Sequence, residues 1–202
     1  MLLSAGSIRC TYDASGRIVA RHKARLWCKP DVWQYSWDAE DRLIACRTPD
    51  GALWQYSYDS LGRQTAKDQV DEGGAVVHSV HFTWDGTTLV EQTDTAQHTT
   101  LTWDCDGYTP LSQLERRTGL ATASSASTAT DSRFFAIVSD LIGTPTELVD
   151  ERGEVAWQSR MTVWGTTSWT RTAIAYTPLR FPGQYDDAET GLYYNCYRHI
   201  EG

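Results

Sequence analysis

Three carboxylates fall within four positions late in the chain, Asp186, Asp187 and Glu189, inside the stretch Gln184 to Gly191. Two carboxyl groups flanking a glycosidic bond can act as acid and base, so this is the first place to look for chemistry. The run D-D-A-E-T-G is also an ordinary turn composition with Gly191 to close it, and that simpler reading is preferred. His78 and His81 are three apart, a spacing that in a strand sends them to opposite faces and prevents them from sharing a metal. His22, His98 and His199 stand alone.

The remaining nucleophiles and ligands give nothing firmer. Cys10, Cys28, Cys46, Cys105 and Cys196 are odd in number, widely spread and never form a CxxC pair, so they read as reduced thiols serving as small buried apolar groups. No G-x-S-x-G or Cys-His signature occurs, and no glycines form G-x-G-x-x-G or a P-loop. Catalytic, cofactor-binding and metal residues are therefore all expected to be none.

Eighteen basic against twenty-six acidic residues give a net charge of −8. No basic stripe could follow a phosphate backbone, so nucleic acid is a poor partner. No apolar stretch approaches the roughly 20 residues that cross a bilayer, and MLLSAGSIRC lacks the charged start and apolar centre of a secretory signal. The chain as encoded is expected to be cytoplasmic, with no membrane insertion.

What positions these residues is a repeat of period two. Apolar or aromatic residues alternate and end in Asp: Ile8-Cys10-Tyr12-Asp13, Trp33-Tyr35-Trp37-Asp38, Trp54-Tyr56-Tyr58-Asp59, Val80-Phe82-Trp84-Asp85 and Thr99-Leu101-Trp103-Asp104. Alternation puts these side chains on one face of a strand and Gln34, Ser36, Gln55, Ser57, His81, Thr83 and Thr102 on the other. Nine Trp and ten Tyr against four Phe imply rings whose polar edge stays near water or a partner.

Each Asp can accept from backbone N–H groups just ahead and so ends its strand in an Asx-type turn. Glycine completes DASGR (13–17) and DSLGR (59–63) by supplying a positive φ, while in DAEDR (38–42) Asp41 takes that place with modest strain. Arg17-Ile18-Val19, Arg42-Leu43-Ile44 and the weaker Arg63-Gln64-Thr65 begin return strands. KPDVW (29–33) and TPDGALW (48–54) turn the chain back into the next aromatic strand. The unit is a hairpin, repeated at roughly 20 to 25 residues, a period typical of arrays. The copies at Asp85 and Asp104 lack the Gly-Arg ending.

Two further strings stand out: SDLIGTPTELVDERGEVAW (139–157) and TPLRFPGQYDDAETGLYYNCYR (177–198). With the repeats, they resemble the RHS (rearrangement hot spot) or YD-repeat family, the first matching its "DHLGTP" block at Asp140, Gly143, Thr144, Pro145, Leu148, Gly153 and Trp157. Leu141-Ile142 depart from the usual His-Leu pair. The resemblance implies an all-β fold, a YD-repeat β-hairpin array forming a segment of a spiralling β-sheet shell. Its expected divisions are 1–118, YD-type hairpin repeats; 119–132, a Ser/Thr/Ala-rich loop; 133–169, the RHS conserved block; and 170–202, a truncated core-associated segment.

The resemblance also implies function. Such shells hold a C-terminal toxin, which a downstream Asp-Pro-x-Gly-type motif frees by self-cleavage. Here the family pattern gives way to Ile200-Glu201-Gly202, so the expectation is a non-enzymatic shell segment without cleavage motif or toxin. Its partners would be the remainder of an RHS shell and its toxin or secretion adaptor. Open sheet edges suggest self-association. The alternative is a cell-surface or carbohydrate-binding module in which Trp33, Tyr35 and Trp37 stack on sugar rings. A hydrolase using Asp186 and Glu189 ranks behind both.

Overall fold

The computed structural model describes residues 4–119, 130–161, 167–169 and 173–200. Every regular element among them is a strand. Fifteen make one sheet whose spatial order follows chain order: β1 Ser4–Ala5, β2 Ile8–Tyr12, β3 Ile18–Lys23, β4 Asp31–Trp37, β5 Leu43–Arg47, β6 Leu53–Tyr58, β7 Gln64–Val70, β8 Val76–Asp85, β9 Thr88–Asp94, β10 Thr99–Asp106, β11 Thr109–Thr118, β12 Thr130–Ser139, β13 Pro145–Asp150, β14 Val155–Met161 and β15 Thr167–Trp169. A separate three-stranded sheet follows: β16 Gln184–Asp187, β17 Leu192–Asn195 and β18 Arg198–Ile200.

The Asp-ended turns form as the sequence implies, with one addition. Asp38 Oδ1 accepts from the backbone N–H of Glu40 and Arg42, both at 2.9 Å, and its Oδ2 accepts from Arg42 Nε at 2.7 Å. Asp13 with Arg17 and Asp59 with Arg63 repeat this geometry. The arginine therefore closes the turn, and in two copies it also reaches the neighbouring one: Arg17 Nη1 donates to the Asp38 carbonyl at 2.8 Å and Arg63 Nη1 to the Gly86 carbonyl at 2.6 Å. Asp41 has φ +61° where the parallel Gly16 and Gly62 have +82° and +81°.

Each of these hairpins also carries a β-bulge that alternation alone does not reveal. The register shifts between Thr11 and Tyr12, Ser36 and Trp37, Ser57 and Tyr58, and Thr83 and Trp84. One extra residue per return strand absorbs the shift: Val19, Ile44, Thr65 and Val90. Bulges of this kind add twist in a constant sense, so the repeat carries its own bend. They also explain how two successive apolar residues fit a half-buried strand, with Leu43 fully buried and Ile44 exposed.

The copy at Asp104 corrects the sequence reading. Asp104 does not end its strand: β10 continues through a bulge to Asp106, which faces Thr109 across a tight turn at Gly107. Strand β12 likewise takes up Thr130, Asp131 and Ser132 from the stretch assigned to the Ser/Thr/Ala-rich loop, whose residues 120–129 lie outside the described ones. Among the cysteines, Cys10 and Cys46 are buried and Cys105 and Cys196 half-buried, but Cys28 is exposed in the β3–β4 turn, against the expectation for it.

The aromatic face is covered by the chain itself. Leu192 of β17 packs among Cys10, Ile18, Tyr35, Leu43, Cys46, Trp54 and Tyr56. Tyr185 and Tyr194 pack with Val80, Phe82, Leu89, Leu101 and Trp103, and Ala175 with Phe135, Leu148, Ala156 and Trp157. A buried Leu-sized side chain is worth roughly 1.5–3 kcal/mol, so the three clusters hold the 173–200 segment along the strip. On the other face Gln34, Ser36, Gln55, Ser57, His81 and Thr83 are exposed.

Candidate functional site

The carboxylate turn sits where the cover meets the strip. Its loop is closed by Gly191 N–H donating to the Asp187 carbonyl at 2.8 Å, with Gly191 at φ +66°. Asp187 and Thr190 are fully buried. Asp187 Oδ2 accepts from Tyr56 OH and Thr190 Oγ1, both at 2.9 Å, and Oδ1 from Lys67 Nζ at 2.7 Å. Lys67 also bonds Glu189 Oε2. The backbone of the turn is held as well: Trp33 Nε1 donates to the Glu189 carbonyl at 2.9 Å and Tyr35 OH to the Thr190 carbonyl at 2.8 Å. Three inward aromatics of two successive repeats thus grip one loop.

Lys67 is the residue that sequence reading missed, and the bulge is why. Counting by two from Gln64, which is buried, puts Ala66 inward and Lys67 outward. The extra residue Thr65 reverses this, so Ala66 pairs with outward Ser57 and Lys67 with inward Tyr56. The Lys67 ammonium lies 5.7 Å from the Trp54 ring and 5.4 Å from that of Tyr185, positions at which aromatic faces attract a cation.

The electrostatics follow from burial and this one cation. Burial works to raise the Asp187 carboxyl, but the Lys67 charge beside it prevails and holds it well below the usual carboxylate range. Burial likewise works against the Lys67 ammonium, and Asp187 overrides it, pushing Lys67 well above the ordinary lysine value. Glu189, without comparable donors, is pushed up by burial to about 7. Tyr56 is raised by burial and by the neighbouring Asp187 charge.

His199 does not stand alone. It packs against the rings of Trp37, Tyr56 and Tyr194 at centroid separations of 6.3, 5.6 and 5.1 Å. Neither ring nitrogen has a hydrogen-bond partner, and burial depresses it to about 4. His78 bonds Asp94 at 2.9 Å and meets the Trp54 ring edge-on, while His81 faces outward, so the two do not share a face toward a metal. Among the described residues no group of His, Cys, Asp and Glu is arranged to hold a metal ion, and no helix is long and apolar enough to cross a membrane.

Asp186 and Asp187 are not assembled as an acid–base pair. Adjacent residues of β16 point to opposite faces, which sends Asp187 to Lys67 and Asp186 to the buried Arg180. Asp186 and Glu189 border one open cleft, yet each is bound to a cation. The sugar-stacking ladder is not free either. Tyr35 is buried, Trp37 Nε1 donates to the Ile18 carbonyl at 2.7 Å, and Trp33 has the Arg21 guanidinium over its ring at 5.1 Å.

Fold and site together define an all-β hairpin-repeat strip whose terminal segment is anchored to it through a buried charge cluster. The comparisons give this class its family. The RHS Repeat profile matches residues 37–76 and the RHS protein profile residues 136–168. Double-stranded DNA deaminase toxin A of Burkholderia cenocepacia (strain H111) is 31% identical over 99% of this chain, which spans 15% of that protein. Probable deoxyribonuclease RhsA of Dickeya dadantii (strain 3937) is 30% identical over 94% of the chain, which spans 13% of it. Toxin protein Tse5 of Pseudomonas aeruginosa is 30% identical over 95%, and the chain spans 16% of it. The solved Photorhabdus luminescens Tc holotoxin pore is similar at 16% identity and a TM-score of 0.43, covering 96% of this chain and 8% of that one. The chain belongs to the RHS, or YD-repeat, family.

Proposed function

We propose that this chain is a wall segment of an RHS-type shell that encloses a toxin, and that it performs no catalysis itself. The observation that carries this reading is the bonding of the polar cluster into one anchor: Lys67, Asp187, Glu189, Tyr56 and Thr190 bond one another and hold the 173–200 segment to the strip. Such an anchor makes a rigid two-layered wall in which Asp187 is sealed from any substrate. The deaminase and deoxyribonuclease activities in the relatives' names belong, on this reading, to parts of those proteins outside the matching stretch. The partners are the rest of the shell and its toxin or secretion adaptor. The strip ends, β1 and β15, are where further strands would pair.

The test is imaging and limited proteolysis of the native-length polypeptide that carries this segment. A hollow particle whose β strip resists protease supports the assignment. An extended polypeptide cut throughout residues 4–119, or a self-cleaved or hydrolysed product lost in Asp187→Asn with folding intact, overturns it.

A further inference from the structure

The Lys67 cluster is more ordered than charge pairing alone requires. A buried ion pair needs only complementary charge and satisfied hydrogen bonds. Here the partners are also oriented. Tyr56 and Thr190 both hold Oδ2 of Asp187, which turns Oδ1 toward the Lys67 nitrogen at 2.7 Å. The rings of Trp54 and Tyr185 flank that nitrogen, and the Glu189 carboxyl touches it from the side.

We infer that Lys67 and Asp187 are placed to join through an internal isopeptide bond, Lys67 Nζ to Asp187 Cγ, with the Glu189 carboxyl as proton relay. An amine so close to a carboxylate oxygen sits near the about 3–3.5 Å approach at which oriented intramolecular reactions gain most of their advantage. The pairing keeps both groups charged at rest; the reactive state is the minor one in which one ammonium proton has passed to the Asp187 carboxylate, and the apolar walls make that neutral pair less costly than it is in water. The amine lone pair then forms the N–C bond at Cγ. A second proton passes from nitrogen through Glu189 to the Asp187 hydroxyl, the C–O bond breaks, and the oxygen leaves with its electron pair as water. Ammonium and carboxylate become amide and one water, Glu189 returns to its starting state, and no oxidant or cofactor is consumed. With burial pushing it to about 7, Glu189 is available near neutral pH both to give and to take a proton, as a general acid–base group must. Glu189 also borders two open clefts, of about 450 and 530 Å³, into which the water can leave.

The bond would tie β7 of the strip covalently to β16 of its cover. It does not depend on the shell assignment, because it concerns how this segment is fastened and not what it encloses.

The test is the intact mass and tryptic peptide map of the folded native-length protein carrying this segment. The expected result is a mass below the sequence mass by one water, and one branched peptide containing Lys67 and Asp187 with no cleavage after Lys67. Asp187→Asn should lose ammonia instead of water, and Lys67→Arg should keep its full sequence mass. Glu189→Gln, with cooperative unfolding as evidence that it folds, should lose the branched peptide. A full sequence mass in the wild type after prolonged incubation, with Lys67 and Asp187 in separate peptides, overturns the proposal even if the variants fail to fold. A branched peptide in Glu189→Gln as abundant as in the wild type overturns the role of Glu189.

Discussion

Trp37 Nε1 donates to the Ile18 carbonyl at 2.7 Å, and the same link recurs one repeat later from Tyr58 OH to Leu43 and again from Trp84 Nε1 to Gln64, all at 2.7 Å. In each case the last ring before an Asp turn bonds the first inward residue of the preceding return strand. Trp and Tyr can make this link, and Phe would lose it. This gives physical content to the scarcity of phenylalanine in the chain.

Tyr58→Phe should therefore lower stability by about 0.5–1.5 kcal/mol, the net worth of one hydrogen bond. The ring itself and the Arg42 guanidinium over it at 5.4 Å remain. Urea denaturation should show a lower midpoint at unchanged slope, and an unmoved midpoint would mean that the rung contributes nothing.

At the second turn, Asp41 adopts the left-handed region that Gly16 and Gly62 occupy in the parallel turns. Asp41→Gly should relieve that strain and raise stability by about 0.5–1 kcal/mol, less the extra chain entropy glycine brings to the unfolded state. Its ion pair with Arg17 is exposed and offsets little. A higher thermal midpoint checks this, whereas a lower one would place the strain elsewhere.

Much of this architecture was legible. Alternation named the inward rings of β2, β4, β6 and β8, and the Asp-Gly-Arg spacing named the turns. What escaped was any effect of the bulge. A single extra residue at Thr65 turns Lys67 inward, and counting by two along a return strand does not show that it holds an extra residue. The partner of Lys67 lies 120 positions away at Asp187, and D-D-A-E-T-G looks the same whether its carboxylates meet water or a buried ammonium. His199 looked isolated because the rings that enclose it come from β4, β6 and β17.

Leu192 tests how the cover is held. It is 1% exposed and fills the centre of the cluster built from the first repeats. Leu192→Ala should cost about 2–5 kcal/mol, transfer and cavity together, while Leu141→Ala on an exposed turn should stay within about 0.5 kcal/mol of the wild type. If denaturant midpoints show equal effects, the cover is not packed as described.

The pH dependence should expose two opposing groups. His199 is depressed from 6.5 to about 4, so between these values the unfolded chain binds more protons and stability falls as pH falls. Glu189 is raised from 4.5 to about 7, so between those values the folded chain binds more protons and stability falls as pH rises. Each slope is at most about 1.4 kcal/mol per pH unit, and between about 4.5 and 6.5 they cancel. The other charges facing His199 are Asp187, which favours its protonation, and Lys67, which opposes it. Burial, the leading cause for both His199 and Glu189, persists whether Lys67 and Asp187 form an ion pair or an amide. Denaturation midpoints of the wild type should therefore be flat across that window. In Glu189→Gln they should fall toward acid, as the histidine slope is unmasked. In His199→Phe they should rise toward acid, as the carboxyl slope is unmasked. The same slope in both variants would mean that neither group is buried as the structure has it.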